Sequence, residues 1–214
     1  LGNEIYVGAA MDHFYHTIVG FADNCRGLYT SEVNRAQDGD IFVEVGVCLG
    51  RSFAFLAVEA INSGKDITIY GVDHWNGDKS LWENDQMMSL LGQDWRDKEE
   101  GNLMYNTCVK NLESVMHIAK LIRKDSTESA SDFRDESVAF AFIDADHERQ
   151  AVKRDLLAWW PKIKPGGTLG GDDYHLAWPE VIVAVDEFVS EKNAQHAKLV
   201  LEELGAGTWR IKKP

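Results

Sequence analysis

Acidic and imidazole side chains crowd two short stretches of this 214-residue chain, Ile143-Asp144-Ala145-Asp146-His147 and Gly170-Gly171-Asp172-Asp173-Tyr174-His175. Each follows a run that reads as a sheet strand, Val138–Ile143 in the first case and Thr168–Gly171 in the second. In open α/β sheets, ligands bind in the crevice beyond the carboxyl ends of the strands. Asp144, Asp172 and Asp173 are therefore expected to converge. Carboxylates packed together repel and raise one another's pKa unless a cation lies between them. An all-oxygen site without cysteine points to a hard divalent ion, Mg2+ or Ca2+. The plainer alternative is three solvated turn aspartates. His147 suits a general base, since its unperturbed pKa of about 6.5 lies near neutrality. It could instead cap the helix expected from Glu148, and Asp146 is the second candidate for the base.

A different chemistry is written into Asp40–Ser52, D-I-F-V-E-V-G-V-C-L-G-R-S. Ile41 to Val45 is an apolar run broken only by Glu44, as expected of a parallel strand buried on both faces. Gly46 and Gly50 punctuate a tight turn, and the spacing from Arg51 predicts a helix packed on a sheet. Glycines let backbone come close to a ligand, and a helix N-terminus offers unpaired N–H groups. The dinucleotide fingerprint is G-x-G-x-x-G; here the pattern is E-x-G-x-x-x-G. An acid just before a single wide glycine pair suits a ligand carrying an amino group as well as a carboxylate. An ordinary strand-to-helix turn is the plainer reading.

The elements that must position these groups follow from the hydrophobic pattern. Phe14, Tyr15, Ile18, Val19 and Phe21 predict one or two helices within residues 1–39, ahead of the sheet. Asp38-Gly39-Asp40 is a turn signal, and Asn62-Ser63-Gly64 stops the helix after the glycine turn. Ile67–Val72 is a second strand ending on Asp73. A carboxylate there can accept hydrogen bonds from both hydroxyls of a ribose, as in the dinucleotide folds, or it merely begins a turn. His74 or Trp75 could then pack on a base. Residues 74–103 break the alternation and are expected to form a lid or substrate insertion. Within it, Trp82 and Trp95 are either site residues or the core of a short helix around Met87–Leu91. Further strands are expected at Val115–Ile122, Val138–Ile143 and Thr168–Gly171. Helices are expected to close near Val109–Leu112, to start at Glu148, and to cover Pro179–Ser190. Ala197–Leu201 and Thr208–Ile211 close the domain.

Three motifs occur in order: F-I-D-A-D-H (Phe142–His147), L-x-x-W-x-P-K-I-K-P-G-G (Leu156–Gly167) and G-D-D-Y (Gly171–Tyr174). With E-x-G-x-x-x-G, they resemble the class I S-adenosylmethionine-dependent methyltransferases. The likeness is closer to the metal-dependent O-methyltransferases, including sugar O-methyltransferases and, more distantly, the catechol and caffeoyl-coenzyme A enzymes. The resemblance covers roughly residues 40–190. It implies a Rossmann-like α/β fold, a mostly parallel seven-stranded sheet with helices on both faces, in a single domain over 1–214. It also implies that Glu44, Gly46 and Ser52 hold the methionine end of S-adenosyl-L-methionine and Asp73 the ribose; Gly50 and His74 are further cofactor-binding candidates. Asp125 and Ser126 would meet the adenine edge, although Ser126 is also a plausible N-cap. Asp144, Asp172 and Asp173 would bind the metal. Catechol-type relatives place a lysine base three residues beyond the first metal aspartate; here that place holds His147, as in some sugar-modifying relatives. The acceptor implied is a small hydroxylated molecule. Two rivals stay open: a nicotinamide-dependent oxidoreductase, disfavoured by the missing G-x-G-x-x-G, and a catalytically silent cofactor-binding protein.

Bulk properties narrow the field. The length fits one domain, and 44% hydrophobic with 27% charged residues is ordinary for a globular chain. A formal charge of −13 argues against nucleic acid or an anionic membrane as main partner. No stretch approaches the roughly 20 apolar residues that cross a bilayer. The first residues, which lack an initiator methionine, do not read as an export signal. Cys25, Cys48 and Cys108 are too scattered for a disulfide framework or a zinc site, so a reducing compartment, the cytoplasm by default, is expected. Nothing in the sequence excludes a homo-oligomer.

Overall fold

Side chains alternate between the two faces of a strand, and in this chain both faces are apolar. Phe42, Phe140 and Phe142 point to one side, while Val43, Val45, Ala141 and Ile143 point to the other, all buried. Such strands must be covered twice. The computed structural model, which describes residues 10–76, 102–195 and 197–214, shows how. Among the described residues, seven strands form one sheet: β1 (Asp40–Val45), β2 (Ile67–Asp73), β3 (Ala119–Arg123), β4 (Val138–Ile143), β5 (Ile163–Gly171), β6 (Leu201–Gly205) and β7 (Thr208–Lys212). Their order is β3-β2-β1-β4-β5-β7-β6. β1 to β5 run parallel, and β7 is antiparallel to both β5 and β6.

Among the described residues, the helices are α1 (Arg26–Arg35), α2 (Arg51–Ser63), α3 (Asn102–Asn111), α4 (Ser126–Ala130), α5 (Arg149–Trp159) and α6 (Pro179–Ala194). Tyr29 of α1 with Phe53 and Leu56 of α2 packs on the phenylalanine face. Val152, Leu156 and Trp159 of α5 join Val185 and Phe188 of α6 on the valine face. Each such side chain, fully buried, contributes roughly 1.5–3 kcal/mol. The chain moves outward from β1 through β2 to β3, then returns to lay β4 against the other side of β1. The crevice between the β1 and β4 ends is thus the switch point, where this class of sheet takes its ligands. No helix among the described residues is long and apolar enough to cross a membrane.

Four elements differ from the sequence expectation. The aromatic stretch before the sheet forms only a 3-10 turn at Tyr15–Thr17, and the helix is α1, farther on. Gly20 at φ +134° breaks the run, and Ile18 is buried while Val19 and Phe21 are exposed. Val115 begins no strand; it ends a 3-10 turn with its side chain buried, and β3 starts at Ala119. β5 starts before Pro165-Gly166-Gly167, which bulges out where Val138 pairs with Ile163 and Phe140 already pairs with Thr168. A proline without an N–H is tolerated in such a bulge. β6 lies at Leu201–Gly205 rather than Ala197–Leu201. Trp82, Trp95, the Met87–Leu91 helix and most of the 74–103 insertion lie outside the described residues.

Candidate active site

The turn after β1 is held by its neighbours on both sides. Gly46 N–H donates to the Val72 carbonyl on β2 (2.9 Å), and Asp144 N–H donates to the Val45 carbonyl (2.8 Å). Gly46 sits at φ +94°, and a Cβ there would fall 1.8 Å from the Asp144 carbonyl oxygen. Only glycine fits. Gly50, also left-handed at φ +90°, precedes α2, whose N-terminus has no side-chain cap.

Asp73 closes this turn from β2. Its Oδ2 accepts the N–H groups of Val47 (3.0 Å) and Cys48 (2.9 Å), and its Oδ1 accepts that of Trp75 (2.6 Å). A carboxylate oxygen offers about two acceptor positions, so Oδ1 retains room for one further donor. Trp75 is buried and gives its indole N–H to the Cys48 carbonyl (2.7 Å), with its ring edge-on to Tyr105. It is a strut of the turn more than a free platform. His74 is half-exposed, and its Nδ1 accepts the Asn76 N–H (2.9 Å).

Glu44 lies behind the wall. It is fully buried and takes hydrogen bonds from the Tyr29 hydroxyl (2.7 Å) and the Ser52 hydroxyl (2.6 Å). Burial pushes its carboxyl up to about 7, against the pull of these two donors. Ser52 reaches the cavity; Glu44 supports it from beneath.

The cavity itself, about 500 Å³, occupies the switch point. Volumes of this order hold small organic ligands. Its wall brings together Gly46, Ser52, Asp73, His74, Asp125, Ser126, Asp144, Asp146, His147, Asp172 and Asp173. Among the residues singled out from the sequence, Glu44 and Gly50 are not part of that wall. Three of the six non-glycine residues with positive φ among those described, Cys48, Trp75 and Asp173, are on it. Strained backbone of this kind collects at functional sites.

After β3, Asp125 rather than Ser126 caps the helix: its Oδ1 accepts from Thr127 N–H (2.9 Å) and Glu128 N–H (3.2 Å). The Thr127 hydroxyl and these amides hold the Asp125 carboxyl below its ordinary range. Ser126, the first helical residue, instead accepts the Trp159 indole N–H (3.0 Å).

After β4 and β5 the acids meet. Single ligand atoms of Asp144, His147 and Asp173 all lie within 4.8 Å of one another. His147 Nε2 is 2.8 Å from Asp173 Oδ2, and its ring stacks on Trp178 at 4.1 Å. His147 therefore does not cap α5; the turn into that helix is made by Asp146, whose Oδ1 accepts the Glu148 N–H (2.7 Å). Asp172 shares the cavity, accepts the Thr208 hydroxyl (3.4 Å) and is not one of this three-residue group. Burial, then repulsion from Asp172 and Asp173, raises the Asp144 carboxyl well above its usual range, with His147 opposing. Asp172 is raised by burial and by Asp173. Crowded acids with an imidazole beside them suit a divalent cation of hard or borderline character. Sequence reasoning missed the imidazole as a member of the group, and it missed Trp178, whose stacking on His147 no local spacing announces.

A family model described as a methyltransferase domain matches residues 43–174. The chain is 27% identical over 124 residues to an uncharacterized protein of Sinorhizobium fredii, a match covering 58% of this chain and 12% of that protein. It is 28% identical over 120 residues to an uncharacterized protein of Acanthamoeba polyphaga mimivirus, covering 53% of this chain and 54% of the other. The chain thus spans only part of these curated relatives. Among solved structures, the O-methyltransferase NovP is similar with a TM-score of 0.66 at 18% identity, covering 89% of this chain and 78% of that one. CalS11, a TDP-rhamnose 3'-O-methyltransferase in calicheamicin biosynthesis, gives 0.56 at 15% identity, covering 87% and 77%. At these identities the likeness is one of fold.

The buried Glu44 carries a testable pH dependence. Its folded pKa of about 7 exceeds the ordinary 4.5, so the folded state holds the proton more tightly. The stabilisation is complete below the unfolded value and is lost as pH rises through 7. Urea unfolding from about pH 5 to about pH 8 is expected to show the unmutated protein losing about 2–3 kcal/mol relative to Glu44→Gln. Parallel pH profiles for the two proteins would contradict the burial.

Proposed function

Because the chain belongs to the methyltransferase-domain family, we propose that it transfers a methyl group from S-adenosyl-L-methionine to a hydroxyl oxygen of a small molecule, with a divalent cation at the acid cluster. One observation carries this reading: the glycine turn, Asp73 and the Asp144–His147–Asp173 group line a single cavity. The O-methyltransferase neighbours support the choice of oxygen as acceptor, and the sugar hydroxyl methylated by one of them is a fitting model for it.

S-adenosyl-L-methionine, when bound, supplies the methyl group on a sulfonium cation. Ser52 and the turn at Gly46 would seat its methionine end, braced by Glu44 from beneath. The remaining position on Asp73 Oδ1 would take one ribose hydroxyl, and Asp125-Ser126 would face the base. A divalent cation held by Asp144 and Asp173 would lower the pKa of the acceptor hydroxyl. Asp173 fixes His147 through Nε2, and Trp178 fixes the ring plane. So held, the imidazole takes the hydroxyl proton as the methyl leaves the donor. Positioning both reactants in one enclosed site removes much of the entropic barrier. The proximity of His147 to both carboxylates favours a second reading, in which the imidazole is itself a metal ligand and Asp146 is the base.

Calorimetry is expected to show that the unmutated protein binds S-adenosyl-L-methionine and that Asp73→Ala weakens this by about tenfold or more. No binding by the unmutated chain would end the cofactor assignment. Two variants separate the roles at the acid cluster. Asp173→Ala is expected to lose Mg2+ binding. His147→Gln is expected to keep it while methyl transfer, followed as S-adenosylhomocysteine release in a screen of hydroxylated metabolites, falls by about 100-fold or more. Loss of Mg2+ binding in His147→Gln would make the imidazole a ligand instead. Full transfer in the presence of a chelator would remove the metal from the account.

A further inference from the structure

One wall of the cavity has no part in the transfer described above. It is made by Val19, Gly20, Phe21 and Asn24, ahead of α1, together with Arg51 at the start of α2. Its place in the fold puts it at the acceptor end. A Cβ on Gly20 would lie 3.5 Å from Arg51 Cβ, and one on Gly170, late in β5, would lie 3.0 Å from the Leu28 side chain of α1. The chain from Gly20 to Leu28 therefore runs from Arg51 to the strand that leads into Asp172 and Asp173. Asp73, Asp125 and Ser126 follow β2 and β3, on the other side of β1.

Arg51 is poorly satisfied where it stands. Its Nη1–H donates to the Ile18 carbonyl (2.9 Å), while its Nε is buried without a partner. Arg26 and Arg51 both lie over the Tyr15 ring, 5.6 Å and 5.7 Å from its centroid. Arg26 has Asp23 as its counter-ion (3.4 Å); Arg51 makes no ion pair among the described residues. In a chain of formal charge −13, that is a conspicuous vacancy. Helix formation does not explain the residue either, because Arg51 opens α2 and a helix dipole disfavours a cation at its N-terminus. A buried N–H with nothing to donate to is costly. An anionic oxygen group reaching Arg51 through the cavity would relieve both the charge and the unused donors. Beside it, Val19 and Phe21 line the cavity while 42% and 57% exposed, so apolar surface waits there to be covered.

Taking the methyl-transfer reading above as the starting point, we propose that the acceptor is a hydroxylated acid. Arg51 takes its carboxylate or phosphate group, Val19 and Phe21 cover its body, and its hydroxyl is left toward Asp144 and Asp173. The planar guanidinium fork matches either anion.

The test uses two matched pairs of probes, 3,4-dihydroxybenzoate with 3,4-dihydroxybenzamide and rhamnose 1-phosphate with methyl rhamnoside. The members of a pair share their free hydroxyls and differ in charge. Their binding is measured by calorimetry on the full chain with S-adenosylhomocysteine and Mg2+ at about pH 7.5. The unmutated protein is expected to favour the acid by about tenfold or more in at least one pair, and the pair that responds tells carboxylate from phosphate. In Arg51→Gln, which can still donate to the Ile18 carbonyl, the preference is expected to fall to about threefold or less, with S-adenosylhomocysteine bound as before. Binding of neither acid, or of acid and neutral partner alike, would overturn the proposal and leave the methyl-donor assignment standing. So would a preference that survives in Arg51→Gln, which would put the acid on the metal ion. Loss of S-adenosylhomocysteine affinity in that variant would also overturn it, by giving Arg51 to the donor's own carboxylate. Failure of the unmutated chain to bind S-adenosylhomocysteine would overturn both.

Discussion

At residue 46 the backbone passes so close to the Asp144 carbonyl that no side chain fits between them. This contact joins two halves of the molecule that are far apart in sequence. On one side is the turn between β1 and α2, which lines the cavity. On the other is the loop after β4, which begins the acid cluster. Parallel strands that are apolar on both faces bring the two loops level, and the backbone bonds from Asp144 to Val45 and from Gly46 to Val72 hold them there. Any side chain at 46 would wedge the crevice open and separate the two chemistries.

Negative charge is the second organising element. Five carboxylates, on Glu44, Asp73, Asp144, Asp172 and Asp173, stand at the ends of β1, β2, β4 and β5, and each is managed differently. Glu44 is buried and quenched by two hydroxyls. Asp73 accepts hydrogen bonds from three backbone amides. Asp144 and Asp173 are left facing each other beside His147, and burial with mutual repulsion holds the Asp144 carboxyl high. Such an arrangement is unfavourable on its own, and the proposed reaction would offset it with a sulfonium at one end and a hard cation at the other.

Much of this was legible in the sequence because it depends on local order. The runs Ile41–Val45 and Val138–Ile143 could only be strands buried on both faces, and Gly46, Gly50 and the acids at strand ends mark where backbone must turn and ligands gather. What could not be read depends on contacts between distant residues. Nothing near Asp172 announces its hydrogen bond from Thr208, or that Asp144, His147 and Asp173 come within 4.8 Å of one another. Asp125 caps the helix in place of Ser126 because capping depends on one residue of register, and the pairing of Ser126 with Trp159 spans 33 positions. Pro165-Gly166-Gly167 reads as a strand boundary from its residue types, while the sheet absorbs it as a bulge. The N-terminal aromatics mimic helical spacing until Gly20 interrupts them.

The proposed reaction requires the donor and the acid cluster to share one chamber. A crystal structure of the protein soaked with S-adenosylhomocysteine and Mg2+ tests this most directly. The expected result is an adenosyl group lying from Asp73 toward Ser126, with the sulfur directed at a metal ion held by Asp144 and Asp173. A ligand seated elsewhere, or a metal ion walled off from the sulfur by protein, would contradict it.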